Sequence, residues 1–235
     1  MEWKGFTSFQ LKFIMTIFML LDHIAQFIPG APIWFHYIGR LVAPIFFYLL
    51  VEGFYHTRDR IQYMKRLYIG ALFMFIGSSL LDTVIFPQEG YGIPNNIFLS
   101  LALGIHLLYF IESIKRKEST KDKRIEKIKA IFIGFLSLFS EASFLGLGMV
   151  LIFYFFREDR KKLSVGYLLL SSFFIFSMPL TYENLFLLNY QWMMAFALPF
   201  FFLYNGQQGR KVKNFFYIFY PLHIWILYSI GYFMS

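Results

Sequence analysis

Long apolar stretches separated by short polar ones dominate this chain. A helix that spans a membrane needs about 20 mostly apolar residues. The predicted membrane segments are residues 8–28, 35–56, 66–86, 95–113, 130–141, 143–156, 163–180, 190–204 and 214–234. The pattern therefore predicts an all-α fold, a polytopic integral membrane helix bundle with about nine membrane segments.

Two of these segments, 130–141 and 143–156, are together too short for two full crossings of a bilayer. Only 27 residues separate Lys129 from Arg157, whereas two full crossings need about 40. Residues 130–156 therefore form either two short helices or a re-entrant hairpin entered from the cytoplasm. Both arrangements bury Glu141 at membrane depth.

The distribution of basic residues predicts the orientation. Lys and Arg collect on the cytoplasmic side of membrane proteins, and all of the 22 except Arg40 fall on one side when the N-terminus is cytoplasmic. The largest basic group, residues 113–129, predicts a partly helical cytoplasmic linker within a single domain of residues 1–235. The net charge of +8 thus reflects orientation and contact with membrane lipids, and we expect no nucleic-acid partner.

Composition narrows the class further. With 58% hydrophobic and 15% charged residues, the chain lies outside the soluble globular range. It contains no cysteine, which excludes disulfides and thiolate metal sites, and no metal cofactor is predicted. The first apolar stretch contains Asp22 and His23, so we expect a retained helix rather than a cleaved signal peptide.

Arg40 lies inside a hydrophobic segment, where a charge costs about 2.5–3.5 kcal/mol on insertion scales. At 1.5 Å of rise per residue, Asp22, His23 and Arg40 lie at one level, about 8 to 9 Å below the outer surface. One interpretation is an Asp22–Arg40 ion pair that locks two helices together, with His23 hydrogen-bonded nearby. The other is a catalytic or transport site, because intramembrane ionisable residues mark function by default.

In the catalytic interpretation, each of the three residues has a role. His23 acts as general base or transient acyl carrier. Arg40 stabilises the carbonyl oxygen that becomes negative in a tetrahedral intermediate. Asp22 lies about 100° round the helix from His23, so it holds Arg40 or tunes His23.

Further polar residues are candidates for substrate binding. The donor-side candidates are Glu52, His56, Asn205, Arg210 and His223. An ordinary core histidine explains His223 nearly as well, and basic loops such as the one at Arg210 often serve only orientation. The acceptor-side candidates are Asn95, Asn96 and Glu141. Helix capping is the alternative role for the two asparagines.

Five blocks of this sequence, in their order and spacing, resemble the signature of the TraX family. The blocks are Leu21–His23, Ile38–Arg40 continuing to Phe46, Leu50–Phe54 with His56–Arg58, Leu203–Gly206 and Phe215–His223. The resemblance implies a multi-helix membrane acetyltransferase, whose founding member acetylates the N-terminus of conjugative pilin. It also implies distant similarity to acyltransferases that use cytoplasmic acyl-CoA, in which an early-helix histidine, here His23, is catalytic.

The residues and the resemblance together predict an acyltransferase of the bacterial cytoplasmic membrane. It would transfer an acetyl or longer acyl group from cytoplasmic acetyl-CoA to an amine or hydroxyl of a peptide, glycan or lipid acceptor. The alternative is a proton- or solute-coupled transporter, since Asp, Glu and His in a bundle also form proton relays. Inverted repeats with paired broken helices would favour transport, and none is evident. A structural scaffold would leave Asp22, His23 and Arg40 unused.

Overall fold

A computed structural model of this protein describes residues 5–87, 92–176 and 179–234. Within those ranges the regular structure is helical, apart from an isolated bridge between Phe6 and Tyr204. The α-helices are α1 Ser8–Phe27, α2 Trp34–Gly39, α3 Val42–His56, α4 Arg60–Leu80, α5 Ile97–Arg116, α6 Thr120–Ser137, α7 Ser143–Phe155, α8 Arg160–Ser172, α9 Leu198–Leu203 and α10 Lys213–Met234. The all-α prediction is confirmed. Residues 88–91 and 177–178 lie outside the described ranges.

Short helices of other types complete the regular structure of the described ranges. Two π-helical segments cover Leu81–Ile85 and Glu183–Leu188, and a 3-10 helix covers Tyr190–Ala197 and leads into α9. The predicted segment 190–204 is therefore one apolar helix that begins as a 3-10 helix and continues as α9. The predicted segment 163–180 is helical only as far as Ser172 in the part that the structure describes.

Five helices in the described ranges are long and apolar enough to cross a membrane. They are Ser8–Phe27, Trp34–His56, Arg60–Ile85, Ile97–Arg116 and Asn214–Met234, and two shorter apolar helices are Ser143–Phe155 and Tyr190–Leu203. These helices confirm a membrane protein. The count of nine segments and the cytoplasmic N-terminus stay predictions.

The outer surface of α4 is that of a lipid-facing helix. Ile69, Leu72, Phe73, Phe75 and Ile76 are between 56% and 67% exposed. Contiguous apolar surface of this kind is unfavourable in water, at about 25 cal/mol per Å². Lipid acyl chains can cover it without that cost.

The chain divides into two compact units. Unit 1 consists of Met1–Phe46, Leu81–Ile93 and Asp159–Ser235, and unit 2 consists of Phe47–Leu80 and Pro94–Glu158. In unit 1, α1 packs against α2 and α10, and the 3-10 helix packs against α2, α8 and α9. In unit 2, α5 packs against α4, α6 and α7. The organisation as a single domain stays a prediction.

The predicted linker at 113–129 is largely helical. The helix α5 continues to Arg116 and α6 begins at Thr120, so the charged stretch is the end of one helix and the start of the next. Residues 130–156 then contain the last part of α6 and all of α7, joined by turns at residues 138–142. The two helices pack against each other, and whether they cross the membrane or form a re-entrant hairpin stays a prediction.

The start of α1 is fixed by a later loop. The backbone N–H groups of Ser8 and Phe9 donate to the carbonyls of Gln207 and Gln208, at 2.8 and 3.1 Å. These are N–H groups that a helix cannot satisfy within its own first turn. The loop at residues 203–208 therefore caps α1 within unit 1.

A glycine of α5 allows a close approach of neighbouring helices in unit 2. A Cβ at Gly104 of α5 would lie 2.9 Å from Val150 Cγ2 and 3.3 Å from Leu50 Cδ2. A Cβ at Gly134 of α6 would meet its nearest atom, Leu147 Cδ1, only at 4.0 Å. Both are helical, so the same substitution at each isolates the effect of the contact.

We expect Gly104→Ala to lower the thermal stability of the detergent-solubilised protein relative to Gly134→Ala. Overpacking costs about 1–3 kcal/mol, whereas the gain in helix propensity is shared by the two variants. The measurement is the unfolding midpoint of each variant beside wild type. Equal midpoints for the two variants would show that α5 and α7 do not meet at Gly104.

Candidate functional site

Unit 1 brings an aspartate, an arginine and a histidine together at the contact of α1 with α2. Arg40 Nη2 donates to both carboxylate oxygens of Asp22, at 3.0 and 2.9 Å. His36 Nδ1 lies 2.7 Å from Asp22 Oδ1. We call these three residues, with Tyr190 and Gln191, the Asp22 cluster.

Arg40 lies at a break between two helices. Residue 40 caps α2, and α3 begins only at Val42. The predicted segment 35–56 corresponds to the apolar span Trp34–His56, which turns at residues 40 and 41 interrupt. Pro44 provides the physical reason, because a proline ring clashes with the carbonyl four residues earlier, here that of Arg40.

Gly39 allows α2 to approach Asp22. A Cβ at this position would lie 2.3 Å from Asp22 Cγ and 2.6 Å from Asp22 Oδ1, so no other residue fits without moving the carboxylate. The glycine of the sequence block Ile38–Arg40 thus has a steric role beside the ion pair.

The guanidinium of Arg40 has partners on several sides. Its Nη1 donates to Gln191 Oε1 at 3.1 Å, and its Nε donates to the carbonyl of His36 at 3.2 Å. The Tyr190 ring lies 5.5 Å from the guanidinium and stacks on the His36 ring, at 5.4 Å and 9°. The side chains of Arg40 and Asp22 are only 26% and 15% exposed. These contacts make Arg40 an anchor of the cluster, and its role as oxyanion donor stays a prediction.

His23 pairs with another histidine. Its Nδ1 lies 2.7 Å from His223 Nε2, and both residues are buried. His223 Nδ1 lies 2.7 Å from the carbonyl of Phe219; since a carbonyl only accepts, Nδ1 donates there. His223 Nε2 is then the acceptor, and His23 Nδ1 donates to it.

Asp22 thus pairs with Arg40, as one of the two interpretations of the sequence expected. The histidine that contacts the Asp22 carboxylate is His36. Sequence reasoning missed His36. Its signal was present, since His36 precedes Arg40 by four residues and residues at that spacing share a helix face. Gln191 and Tyr190 carried no comparable signal.

Two of the donor-side candidates lie in a polar cluster of unit 2. Arg157 donates to Glu52 through Nε at 2.7 Å and through Nη2 at 3.2 Å. This hydrogen bond to Glu52 raises the pKa of Arg157. His56 Nε2 lies 3.7 Å from Glu52, and the Arg157 guanidinium lies over the Tyr55 ring at 4.5 Å. We call these four residues the Glu52 cluster.

The other donor-side candidates belong to unit 1. Asn205 Oδ1 accepts from the backbone N–H of Gln207 at 3.0 Å, which fits a role in shaping the loop. Arg210 is exposed in the same loop, and His223 lies against His23. The five candidates therefore fall into three groups of contacts, and donor binding stays a prediction for each.

The acceptor-side candidates Asn96 and Glu141 meet in unit 2. The backbone N–H of Asn96 donates to Glu141 Oε2 at 2.5 Å, and its side-chain oxygen accepts from the N–H of Leu99 at 3.3 Å. The second contact is that of a helix cap, the alternative role. Asn95, which precedes Asn96, is buried. Acceptor binding by these residues stays a prediction.

The Asp22 cluster offers groups suited to proton transfer and charge stabilisation. It combines a carboxylate with a guanidinium and an imidazole that both lie within hydrogen-bonding distance of that carboxylate, on apolar helices. Within the described ranges, no three His, Asp or Glu side chains converge as metal ligands. The groups of the Asp22 cluster are those used in acid–base chemistry and in the stabilisation of charge.

We expect Arg40→Ala to destabilise the protein far more than Arg210→Ala. The first change leaves Asp22 without its guanidinium at low exposure, and breaking a buried pair typically costs about 3–5 kcal/mol. The second removes an exposed loop charge. Thermal unfolding of both variants in one detergent measures the difference, and Arg40→Ala with wild-type stability would rule out an anchoring role.

The chain resembles a known protein family and a known protein over nearly its whole length. The family model described as TraX protein matches residues 8–231. The chain is 28% identical over 252 residues to "Probable fimbrial assembly protein FimC, serogroup H1" of Dichelobacter nodosus, with 98% of each sequence covered. No solved structure matches significantly.

These comparisons correct the function predicted from the sequence. They lead to a family and to a relative named for fimbrial assembly. Neither indicates acyl transfer from acyl-CoA to an open set of peptide, glycan and lipid acceptors, and neither indicates coupled transport. That functional prediction is therefore wrong as stated.

The predicted resemblance itself is confirmed. Its five blocks, from Leu21 to His223, all lie inside the matched range. Because the family model covers nearly the whole sequence, from residue 8 to residue 231, the chain belongs to the TraX family.

Proposed function

We propose that this protein acts in the assembly of a fimbria or pilus, and that it does so by acetylating the pilin subunit. The observation that carries the proposal is the match of residues 8–231 to the TraX family together with full-length similarity to a fimbrial assembly protein. The family resemblance supplies the reaction, since its founding member acetylates the N-terminus of conjugative pilin.

The Asp22 cluster supports the chemical part of the proposal. Transfer of an acetyl group to an amine requires removal of a proton from nitrogen and stabilisation of negative charge on oxygen. The cluster has an imidazole and a guanidinium, both held by Asp22. Fixed charges at apolar depth act more strongly than the same charges in water.

A site between membrane helices also selects its acceptor. Only a group that enters the bundle or the bilayer can reach α1 and α2. The N-terminal amine of a membrane-associated subunit meets that condition better than a soluble acceptor does. This argument favours pilin as the acceptor.

The proposal includes a location and a topology. We propose the bacterial cytoplasmic membrane, a cytoplasmic N-terminus and nine segments, on the basis of the basic loops. Reporters fused after Lys117 and after Gln208 should read cytoplasmic, and a reporter at the C-terminus should read external. A cytoplasmic C-terminal reporter would contradict the nine-segment topology.

Deletion of the gene in the producing cell should leave pilin lighter by one acetyl group and reduce surface pili. Mass spectrometry of the pilin N-terminus and electron microscopy of the cells measure the two effects. Complementation with Lys121→Ala, an exposed residue of α6, should restore both, because this position lies outside the site. Complementation with Asp22→Asn should restore neither.

The two parts of the proposal can fail separately. Pili that disappear while pilin keeps its acetyl group would leave the assembly role and remove the acetylation role. Pilin that carries no acetyl group in wild-type cells, with normal pili after deletion, would contradict both.

A further inference from the structure

We propose that His36, through its Nε2 atom, is the proton acceptor of the Asp22 cluster, and that the group it deprotonates is a primary amine. This inference rests on the proposed function and assigns a residue and an atom to its chemistry. The sequence alone indicated His23 for that role.

The first argument is the tautomer of His36. Asp22 accepts two hydrogen bonds from Arg40, and a carboxylate paired with a guanidinium in this way is ionised and can only accept. His36 Nδ1, at 2.7 Å from Asp22 Oδ1, must therefore carry a hydrogen. The lone pair of a neutral His36 then lies on Nε2, and the carboxylate stabilises the imidazolium that forms when Nε2 takes a proton.

The second argument is orientation. The His36 ring stacks on Tyr190 at 5.4 Å with an interplanar angle of 9°. The hydrogen bond to Asp22 and the stacking contact restrain the ring in two directions. An imidazole held in this way needs little reorganisation when the acceptor arrives.

The third argument is the contrast with His23. The ring of His23 lies 2.7 Å from that of His223, and the residue is only 5% exposed. The side chain of His36 is 20% exposed. His36 thus combines an orienting carboxylate with a partly exposed side chain, whereas His23 and His223 are both buried.

The step balances as follows. The neutral amine nitrogen attacks the carbonyl carbon of an acetyl thioester, and a C–N bond forms. His36 Nε2 takes the proton that the nitrogen loses. The bond between the carbonyl carbon and sulfur breaks, and the departing thiolate receives a proton from the His36 imidazolium. The imidazole returns to its starting state and no oxidant or reductant is needed.

The test uses purified full-length protein in lipid vesicles, a peptide with the pilin N-terminus and acetyl-CoA as the thioester probe. His36→Gln should lower the acetylation rate by about 100-fold or more, the usual contribution of a general base. His23→Gln should lower it less. The matched control is His106→Gln, since His106 is a hydrogen-bonded histidine of α5 in unit 2 that pairs with Tyr68 at 2.9 Å and should be close to wild type.

Two further measurements separate chemistry from folding. Added imidazole should restore activity to His36→Ala, because it replaces the missing base, and should not restore it to Arg40→Ala. In the wild-type protein, diethyl pyrocarbonate should modify His36, and the pilin peptide should protect it. Neither measurement requires that the Gln variant fold well.

The outcomes distinguish this inference from the proposed function. An active wild-type protein with an active His36→Gln variant overturns the role of His36 and leaves pilin acetylation intact. An inactive His23→Gln variant beside a fully active His36→Gln variant returns the role to His23. A wild-type protein that never acetylates the peptide overturns the proposed function and the role of His36 with it.

Discussion

The ion pair between Asp22 and Arg40 is the interaction on which unit 1 depends. A charge in an apolar helix is tolerated only when a partner compensates it, and the two carboxylate contacts of Arg40 do so. The rest of the local structure follows from that requirement. Gly39 lets the helices approach, Pro44 breaks the helix at Arg40, and His36 attaches to the carboxylate oxygen that the guanidinium also uses.

Unit 2 contains a pair of the same chemistry in a different setting. Glu52 and Arg157 also form a two-point contact, but Arg157 follows the end of α7 and Glu52 lies in the last turns of α3. Its two side chains are 27% and 10% exposed, much as those of Arg40 and Asp22 are, so removing one partner would also leave a poorly solvated charge. A carboxylate and a guanidinium thus connect α3 with the end of α7 in unit 2, and α1 with α2 in unit 1.

Much of this structure could be predicted from local sequence. Runs of apolar residues predict the all-α membrane class. Counting residues from the membrane surface predicts that Asp22 lies beside Arg40, because α1 and α2 are close in sequence. Gln191 and Tyr190 could not be predicted, since a 3-10 helix brings them to Arg40 from 151 positions away in the case of Gln191. The pairing of His23 with His223 spans 200 positions and depends on how α1 packs on α10. Sequence spacing contains no such information, because side-chain partners across helices are set by packing rather than by period.

Unit 1 is discontinuous along the chain, and this has a consequence for its biosynthesis. Asp22, His36 and Arg40 leave the ribosome early, whereas Gln191 and His223 are made only after all of unit 2. During synthesis the α1–α2 hairpin can form its ion pair while Tyr190 and His223 do not yet exist. The protein therefore inserts as an unfinished bundle, and translation arrested before α10 leaves His23 without His223, although Tyr190 has already been made. The contact of His23 with His223 can therefore form only after the last helix has been made and has docked on α1.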